Sequence, residues 1–531
     1  MSHMRTIHTL RWNVGCSMAR SASPIPAGLN RRRILLAAGA AWGMSGIGNP
    51  LMRAAAAAEG QAAAISHLRR GVSARVLEPM DADYLAWSVS ANTRFDSLLP
   101  LVTVLCESPM DIAYCLRWAR ENGIPLAVRG GGHNYIGMSS TNGLLIVTRM
   151  MRQIEVTPSG QATIQAGAVN GELLKVLYGG KWMLPIGTCP QVGVAGLTLG
   201  GGVGDNTRWA GLTSDHLIST QALDASGTRL LIDKNTNVDL FWACQGGGGG
   251  NFALHTELTF QLLPTPESIA YFSLEFAGAD ATKRAYAALD RILHTAPAEF
   301  SAFGFLRTSP RPGQPMRGPW RLDAASFPNM EVVGCYKGPR GELTDIIAPL
   351  VALKPVDQVV EVADFWQAQD WLAVPPGMRH AWADVNRYMG RALTEAEISE
   401  MVDILLSAPF GRPDRYAEFV LVGWAGGAVA RKAPTETAYV HRNATTMLRA
   451  GVMWDFAVPI TDQIPLNDWL DRAFTFLTRV GLSGSYVNWP SERIKDWTTA
   501  YYGENLTHLA SIKRRYDPQN TFRSAQSIPL P

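Results

Sequence analysis

The chain predicts an α+β fold built in two parts, and three observations carry that expectation. Between about residues 70 and 265, short strand-like apolar runs alternate with brief helical patterns. Three glycine-rich stretches, PLAVRGGGHNYIGMSS, PIGTCPQVGVAGLTLGGGVGDNTRWAGLTSDHL and WACQGGGGGNFAL, recur between those strands. From about 270 to 490 the pattern changes to longer helical periods, more prolines and many tryptophans. A chain of 531 residues is long enough for more than one core.

The elements follow in order. In ESPMDIAYCLRWARENGIPLAV, Ser108 caps a helix, Pro109 suits its first position and Asp111 completes a capping box. Ile112, Cys115, Leu116 and Ala119 make one apolar face, and Gly123 stops the helix. IPLAV is then a strand that runs straight into the first glycine stretch, and GLLIV from Gly143 is another. IEVTPSGQATIQAGA alternates on both sides of Pro158-Ser159-Gly160 and predicts a hairpin. NGELLKVLYGG is a short helix, LISTQALDASGTRLLID a second hairpin, and HTELTFQLLP a strand. In the second part, EFVLVGWAGGAVARK and TAYVHRNATTMLRAGVMWDFAVP predict strands of a further sheet. The tail YYGENLTHLASIKRRYDPQNTFRSAQSIP is a short helix and a YDP turn.

Composition narrows the class. The chain is 47% hydrophobic and 18% charged, as globular proteins are. A net charge of +3 without long like-charge blocks gives no reason to expect nucleic acid or an anionic membrane as partner. The six cysteines (Cys16, Cys106, Cys115, Cys189, Cys244, Cys335) form no C-x-x-C pair, so neither a zinc site nor a redox dithiol is expected. Cys106, Cys115 and Cys335 lie in apolar company and are expected in the core.

Residues 1–58 are expected to be an address. Asn30-Arg31-Arg32-Arg33-Ile34-Leu35-Leu36 resembles the twin-arginine export motif of bacteria, and LMRAAAAAEG offers small residues to a signal peptidase. The apolar run between them is short and broken by glycine, so no spanning helix is expected. This route exports folded proteins and suits one loaded with a cofactor in the cytoplasm.

The glycine stretches fit neither common nucleotide motif. None matches G-x-G-x-x-G, and GGK is followed by Trp182 rather than Ser or Thr, which disfavours a P-loop. G-x-S-x-G is absent after the leader, and so is H-E-x-x-H. Bare backbone on three loops suits an extended cofactor with a diphosphate.

The first two glycine stretches, with TAYVHRN and the C-terminal tail, resemble the berberine-bridge-enzyme-like branch of the vanillyl-alcohol-oxidase flavoproteins, over nearly all of the chain after the leader. The resemblance implies a two-part FAD-binding domain of the PCMH type at 67–268 and 491–531. Between them it implies a substrate domain on an antiparallel sheet at 269–490. It implies FAD bonded through its 8α-methyl carbon to His133 and through carbon 6 to Cys189. Further cofactor contacts fall to Arg129, Gly130, Gly131, Gly132, Asn134, Tyr135 and Gly137 in the first loop. In the second they fall to Val192, Gly193, Gly196, Gly200, Gly201, Gly202 and Gly204. Gly249 and Asn488 complete the set. GSYVNWP makes Tyr486 the base that takes a hydroxyl proton while hydride leaves the neighbouring C–H. A free phenol titrates near about 10, so Tyr486 is expected to be lowered by positive charge or hydrogen bonds. Valine at 192, where dehydrogenases of the family carry leucine, implies an oxidase that passes electrons to O2 and makes hydrogen peroxide.

The expected partners are therefore a small-molecule substrate and O2. A sugar or oligosaccharide is the first expectation; an aromatic alcohol, an alkaloid or another secondary metabolite is the alternative, as is a dehydrogenase using a quinone or carrier protein. Trp366, Trp371 and Trp382 are candidates to stack on substrate, though tryptophans also fill cores. His441 and Arg442 are expected to support the fold or the flavin. The chain departs from the family at Gln245, where relatives often carry arginine, and in LLIVTRMM, which lacks a frequent acidic residue.

Overall fold

The computed structural model describes residues 50–308, 327–373, 379–409 and 414–531. The expected leader lies outside the described residues up to 49; from Pro50 the chain is helical through Gly71. The residues from Ser66 to Pro531 make one compact unit. Among the described residues no helix is long and apolar enough to cross a membrane.

The first sheet contains β1 (Arg75–Leu77), β2 (Val102–Leu105), β3 (Leu126–Arg129) and β4 (Leu144–Val147), in the order β1-β2-β4-β3. β2, β4 and β3 run parallel, and the crossover from β2 to β3 is the helix Pro109–Glu121. Its capping box forms as expected: Ser108 Oγ accepts from the Asp111 N–H at 3.2 Å, and Asp111 Oδ2 accepts from the Ser108 N–H at 3.0 Å. Ile112, Cys115, Leu116 and Ala119 are buried. Every residue of β2 and β4 is buried, as parallel strands covered on both faces require.

Seven strands follow: β5 (Ile154–Val156), β6 (Gln161–Gln165), β7 (Trp182–Met183), β8 (Leu217–Leu223), β9 (Arg229–Asp233), β10 (Leu254–Gln261) and β11 (Leu263–Pro264). Five of them form an antiparallel sheet in the order β5-β6-β10-β8-β9, which contains both expected hairpins. The other two, β7 and β11, pair with each other.

The remaining strands are β12 (Ser268–Ala277), β13 (Phe300–Arg307), β14 (Asn329–Tyr336), β15 (Asp357–Asp364), β16 (Ala381–Met389), β17 (Arg415–Val422) and β18 (Thr446–Trp454). They form one antiparallel sheet in the order β15-β12-β14-β13-β17-β18-β16. Side chains alternate between its faces. One face packs Phe272, Phe276, Val332 and Phe419 against Leu289, Leu343, Met401 and Trp469 of four covering helices. Each such side chain contributes about 1.5–3 kcal/mol on burial. On the other face, Ile269, Val333 and Cys335 join the core of the five-stranded sheet.

Two expected strands are shorter than the sequence pattern. EFVLVGWAGGAVARK is strand only to Val422 and then turns into a 3-10 helix at Gly427–Arg431, because Gly426 and Gly427 take positive φ. TAYVHRN is not strand. The Tyr439 N–H donates to the Gln245 carbonyl at 3.0 Å, so this segment pairs with the third glycine loop instead of the sheet. The tail closes on the same loop. Lys513 Nζ, fully buried, donates to Asn251 O at 2.7 Å, Phe522 O at 2.6 Å and Asp517 Oδ2 at 2.6 Å.

Candidate active site

β3 delivers Arg129 to the start of the first glycine loop. Its guanidinium is buried and, among the described residues, forms no salt bridge. Nε donates to Ser139 O at 3.0 Å, Nη1 to Trp87 O at 3.0 Å and Val89 O at 2.8 Å, and Nη2 to Ser140 Oγ at 2.9 Å. These bonds fold the loop around the arginine, and burial lowers its pKa to about 10. Asn134 shapes the loop further: its Oδ1 accepts from the Ile136 N–H at 3.1 Å and the Met138 N–H at 2.9 Å. His133 and Tyr135, both half-buried, stand on this frame. Burial lowers the His133 pKa to about 4, so the imidazole is neutral and keeps a nucleophilic nitrogen.

The second loop meets the first backbone to backbone. A Cβ on Gly131 would fall on the Gly193 nitrogen and 2.6 Å from the Gln191 carbonyl oxygen. No side chain fits there, which is the physical reason for glycine at both positions. Asn170, fully buried, supports the Cys189 turn. Its Nδ2 donates to Gly187 O at 3.1 Å and Cys189 O at 3.2 Å, and its N–H to Val192 O at 2.9 Å. The short helix Val194–Leu199 follows, carrying Gly196. Gly204 packs against the Ile186 carbonyl. The third loop docks on that helix, where the Gly248 N–H donates to Leu199 O at 2.8 Å and a Cβ added to Gly249 would lie 3.9 Å from Gly196 Cα. The departure at Gln245 has a local use: its Nε2 donates to Ser214 O at 3.0 Å.

Tyr486 reaches this assembly from after the last long helix. Its N–H donates to Asn386 Oδ1 at 2.8 Å. Its hydroxyl oxygen receives the Gly202 N–H at 3.2 Å and Asn488 Nδ2 at 3.0 Å. The expected lowering of its pKa is not found in the protein alone. The residue is 1% exposed, and burial, aided by neighbouring Tyr439, raises the phenol despite the N–H donors.

Of the three candidate tryptophans, one is core and one is half-buried against it. Trp366 is buried with Nε1 donating to Gly180 O at 3.1 Å, and Trp371 packs on Tyr271 at 4.5 Å. Trp382 alone stands near the site, 6.3 Å from the His133 ring and edge-on to Tyr135 at 5.7 Å. Sequence reasoning missed Trp489, which lies 5.7 Å from Tyr486, 5.7 Å from Trp424 and 6.3 Å from Tyr135. It also missed Trp424 and Phe303, edge to face at 4.8 Å. The period-two alternation in β13 could have placed Phe303 on a face, and Trp489 follows Asn488 directly. A buried charged row lies beside these rings: Arg449 pairs with Glu418 and with Asp384 at 3.2 Å, and covers Trp489 at 5.7 Å.

Arg442 is a fold support, as expected: fully buried, it holds Asp215 bidentately at 2.8 and 2.9 Å. His441 stacks on Tyr388 at 4.4 Å, and burial lowers its pKa to about 4.

The residues fit a flavin dinucleotide. The glycine loops meet without side chains between them, a neutral imidazole and a thiol stand on adjoining turns, and buried Ser139 Oγ, Asn170 Oδ1 and Ser214 Oγ have no hydrogen-bond partner among the described residues. His133 and Cys189 would hold the ring, and the three loops the diphosphate.

A family model described as an FAD binding domain matches residues 100–233, and one described as berberine and berberine-like matches residues 485–529. An uncharacterized FAD-linked oxidoreductase of Bacillus subtilis is 31% identical over 466 residues, spanning 86% of this chain and 97% of its own. The chitooligosaccharide oxidase of Gibberella zeae is 29% identical over 467 residues, spanning 82% and 89%. Among solved structures, the glucooligosaccharide oxidase of Acremonium strictum, which carries a 6-S-cysteinyl, 8α-N1-histidyl FAD, superposes with a TM-score of 0.76 at 23% identity, covering 88% of this chain and 99% of that one.

Proposed function

This chain belongs to the berberine-bridge-enzyme-like FAD-linked oxidoreductases, and from that premise we propose that it is an exported oxidase of a sugar or oligosaccharide. FAD held through His133 and Cys189 would supply the hydride acceptor, with O2 as the final electron acceptor and hydrogen peroxide as its product. The observation that carries the tethering is the backbone contact between Gly131 and Gly193, which brings the two loops together. The neutral His133 supports it too.

The chain's own residues do the rest. Tyr486 takes the substrate hydroxyl proton while the adjacent C–H bond loses its hydride, so an alcohol becomes a ketone, or a hemiacetal a lactone. Trp382, Trp424 and Trp489 offer flat apolar faces, while Asp384, Glu418 and Arg449 offer polar groups beside them. Stacking faces beside fixed polar groups suit sugar rings, and the carbohydrate oxidases among the relatives support that class. Val192 is half-buried and its N–H donates to Cys189 O at 3.3 Å, so the residue on which the oxidase reading rests sits on the Cys189 turn. The Asn30–Leu36 motif supports export through the twin-arginine route.

A second reading has its own observation. Tyr388, Val420, Val422, Trp424, Tyr439, Met447 and Tyr486 form one buried, mostly apolar cluster, which suits an aromatic alcohol. Anaerobic bleaching of the flavin spectrum decides between them, using glucose oligomers, N-acetylglucosamine oligomers and benzylic alcohols. Bleaching by the sugars alone is expected. Bleaching by benzylic alcohols alone overturns the sugar class, and reoxidation by a dye but not by O2 overturns the oxidase.

A further inference from the structure

Among the described residues, every group hydrogen-bonded to the Tyr486 hydroxyl is an N–H donor. The Gly202 amide lies at 3.2 Å and Asn488 Nδ2 at 3.0 Å, and the Val203 amide points to the same oxygen. The orientation of the Asn488 carboxamide is set by its other partner. Its nitrogen also lies 2.9 Å from the Leu197 carbonyl, which only accepts, so the NH2 end must face both. Gly200 keeps the amide in place, because a Cβ there would collide with it. Gly202 presents its N–H from a positive φ of 80°, with its carbonyl held by the Thr213 N–H at 3.0 Å.

A neutral phenol oxygen offers two lone pairs, and an ionised one offers three. Two N–H donors lie within hydrogen-bond distance here, and no acceptor among the described residues takes the hydroxyl proton. We infer that Asn488, with the Gly202 amide, forms an anion hole that stabilises the Tyr486 oxygen as it ionises to a phenolate, and that Asn488 is the positioning residue for the base. This rests on the reading of Tyr486 as base. In the step, the substrate O–H bond breaks, the phenol O–H bond forms, and the proton later leaves to solvent.

The surroundings act on the same oxygen. Burial and the Tyr439 ring, 6.4 Å away and bonded to the Tyr388 hydroxyl at 2.5 Å, oppose ionisation. Arg442 lies 5.2 Å over Tyr439 but is neutralised by Asp215. Arg449 covers Trp489 and is paired with Glu418 and Asp384, and Arg387 holds Ser485 Oγ at 2.6 Å with Asp496 3.8 Å away. With each cation already shared, the N–H donors are the local groups that favour the phenolate.

The test is an ultraviolet difference titration of tyrosinate in the flavin-loaded protein, wild type minus Y486F, repeated as N488A minus the N488A/Y486F double variant. The hole predicts that the Tyr486 midpoint moves up by about one to two pH units in N488A. In N488D, which keeps the side chain's shape but loses the donor and gains a charge, it should move further. A midpoint that stays within a few tenths of wild type in both variants overturns the inference. Flavin bleaching separates it from its premise. If Y486F still bleaches at the wild-type rate, the base reading fails whatever the titration shows. If Y486F is dead and the N488 midpoints do not move, only the hole fails.

Discussion

The glycine loops and the inner face of the seven-stranded sheet meet at one site but work by opposite means. In the loops the backbone does the work. Side chains are removed so that chains touch, as at Gly131 and Gly193, and the few that remain either shape the loop or carry chemistry. On the sheet the side chains do the work, through stacked rings and buried ion pairs on a regular frame. Loops of this kind tolerate no added atom, whereas a sheet face can exchange one ring for another and keep its frame. On the proposed function, attachment chemistry falls to the rigid half and substrate choice to the exchangeable half.

The sharpest way to break that division is G131V. Its Cβ would fall on the Gly193 nitrogen, so one of the two loops must move. The expected outcome is complete loss of flavin from the purified protein, read from its visible spectrum. A yellow G131V protein would show that the loops need not touch.

Y486F comes next. Loss of a positioned base costs about 10²–10⁴-fold in rate. Anaerobic flavin reduction should slow by that factor while the flavin stays bound, because Phe keeps the ring that packs with Val203 and Leu212 and removes only the hydroxyl bonded to Gly202. Equal loss of flavin and rate would move Tyr486 from the chemistry to the scaffold.

The tethers are expected to back each other up. H133A and C189A should each keep flavin with the acid-precipitated polypeptide, and only the double variant should release it. pH sharpens this. The His133 pKa is lowered to about 4, so the imidazole is neutral above that value and loses its nucleophilic lone pair below it. Covalent loading of flavin-free C189A with FAD should be flat from pH 7 to about 5. It should then fall roughly tenfold per unit below about pH 4. A fall already near 6.5 would mean that the imidazole is solvated during loading.

The two halves were also unequally legible in the amino-acid sequence. The capping box at Ser108, both hairpins and all three glycine loops are local signals, readable within a dozen residues. The inner sheet face is not local. Phe303, Trp424 and Trp489 meet only because strands far apart in the chain pair in one register, and the Arg449 row depends on the same pairing. TAYVHRN alternates like a strand, yet its backbone is committed to the third loop. The rise in the Tyr486 pKa follows from burial depth, which no residue type reveals.

The smallest expected effects test that same line through two tryptophans that look alike in sequence. Trp366 belongs to the core: it is 6% exposed and its indole N–H has an internal acceptor in Gly180. W366F should therefore lower stability by about 1 kcal/mol, the worth of one buried hydrogen bond, and leave KM unchanged. Trp382 belongs to the site: its ring faces His133 and Tyr135, and its buried indole N–H has no partner among the described residues. W382F keeps an aromatic ring but removes that N–H and part of the ring, so only a modest loss of stability is expected. KM should rise about fivefold if the N–H meets a substrate oxygen, since about 1 kcal/mol is the net worth of such a bond. A sugar offers that oxygen wherever it stacks, and a plain aromatic ring does not. Measured with both substrate classes, a KM change confined to sugars would tie the exchangeable half of the site to hydroxylated rings. An unchanged KM with sugars would leave Trp382 as packing for the His133 loop and hand substrate choice to Trp424 and Trp489.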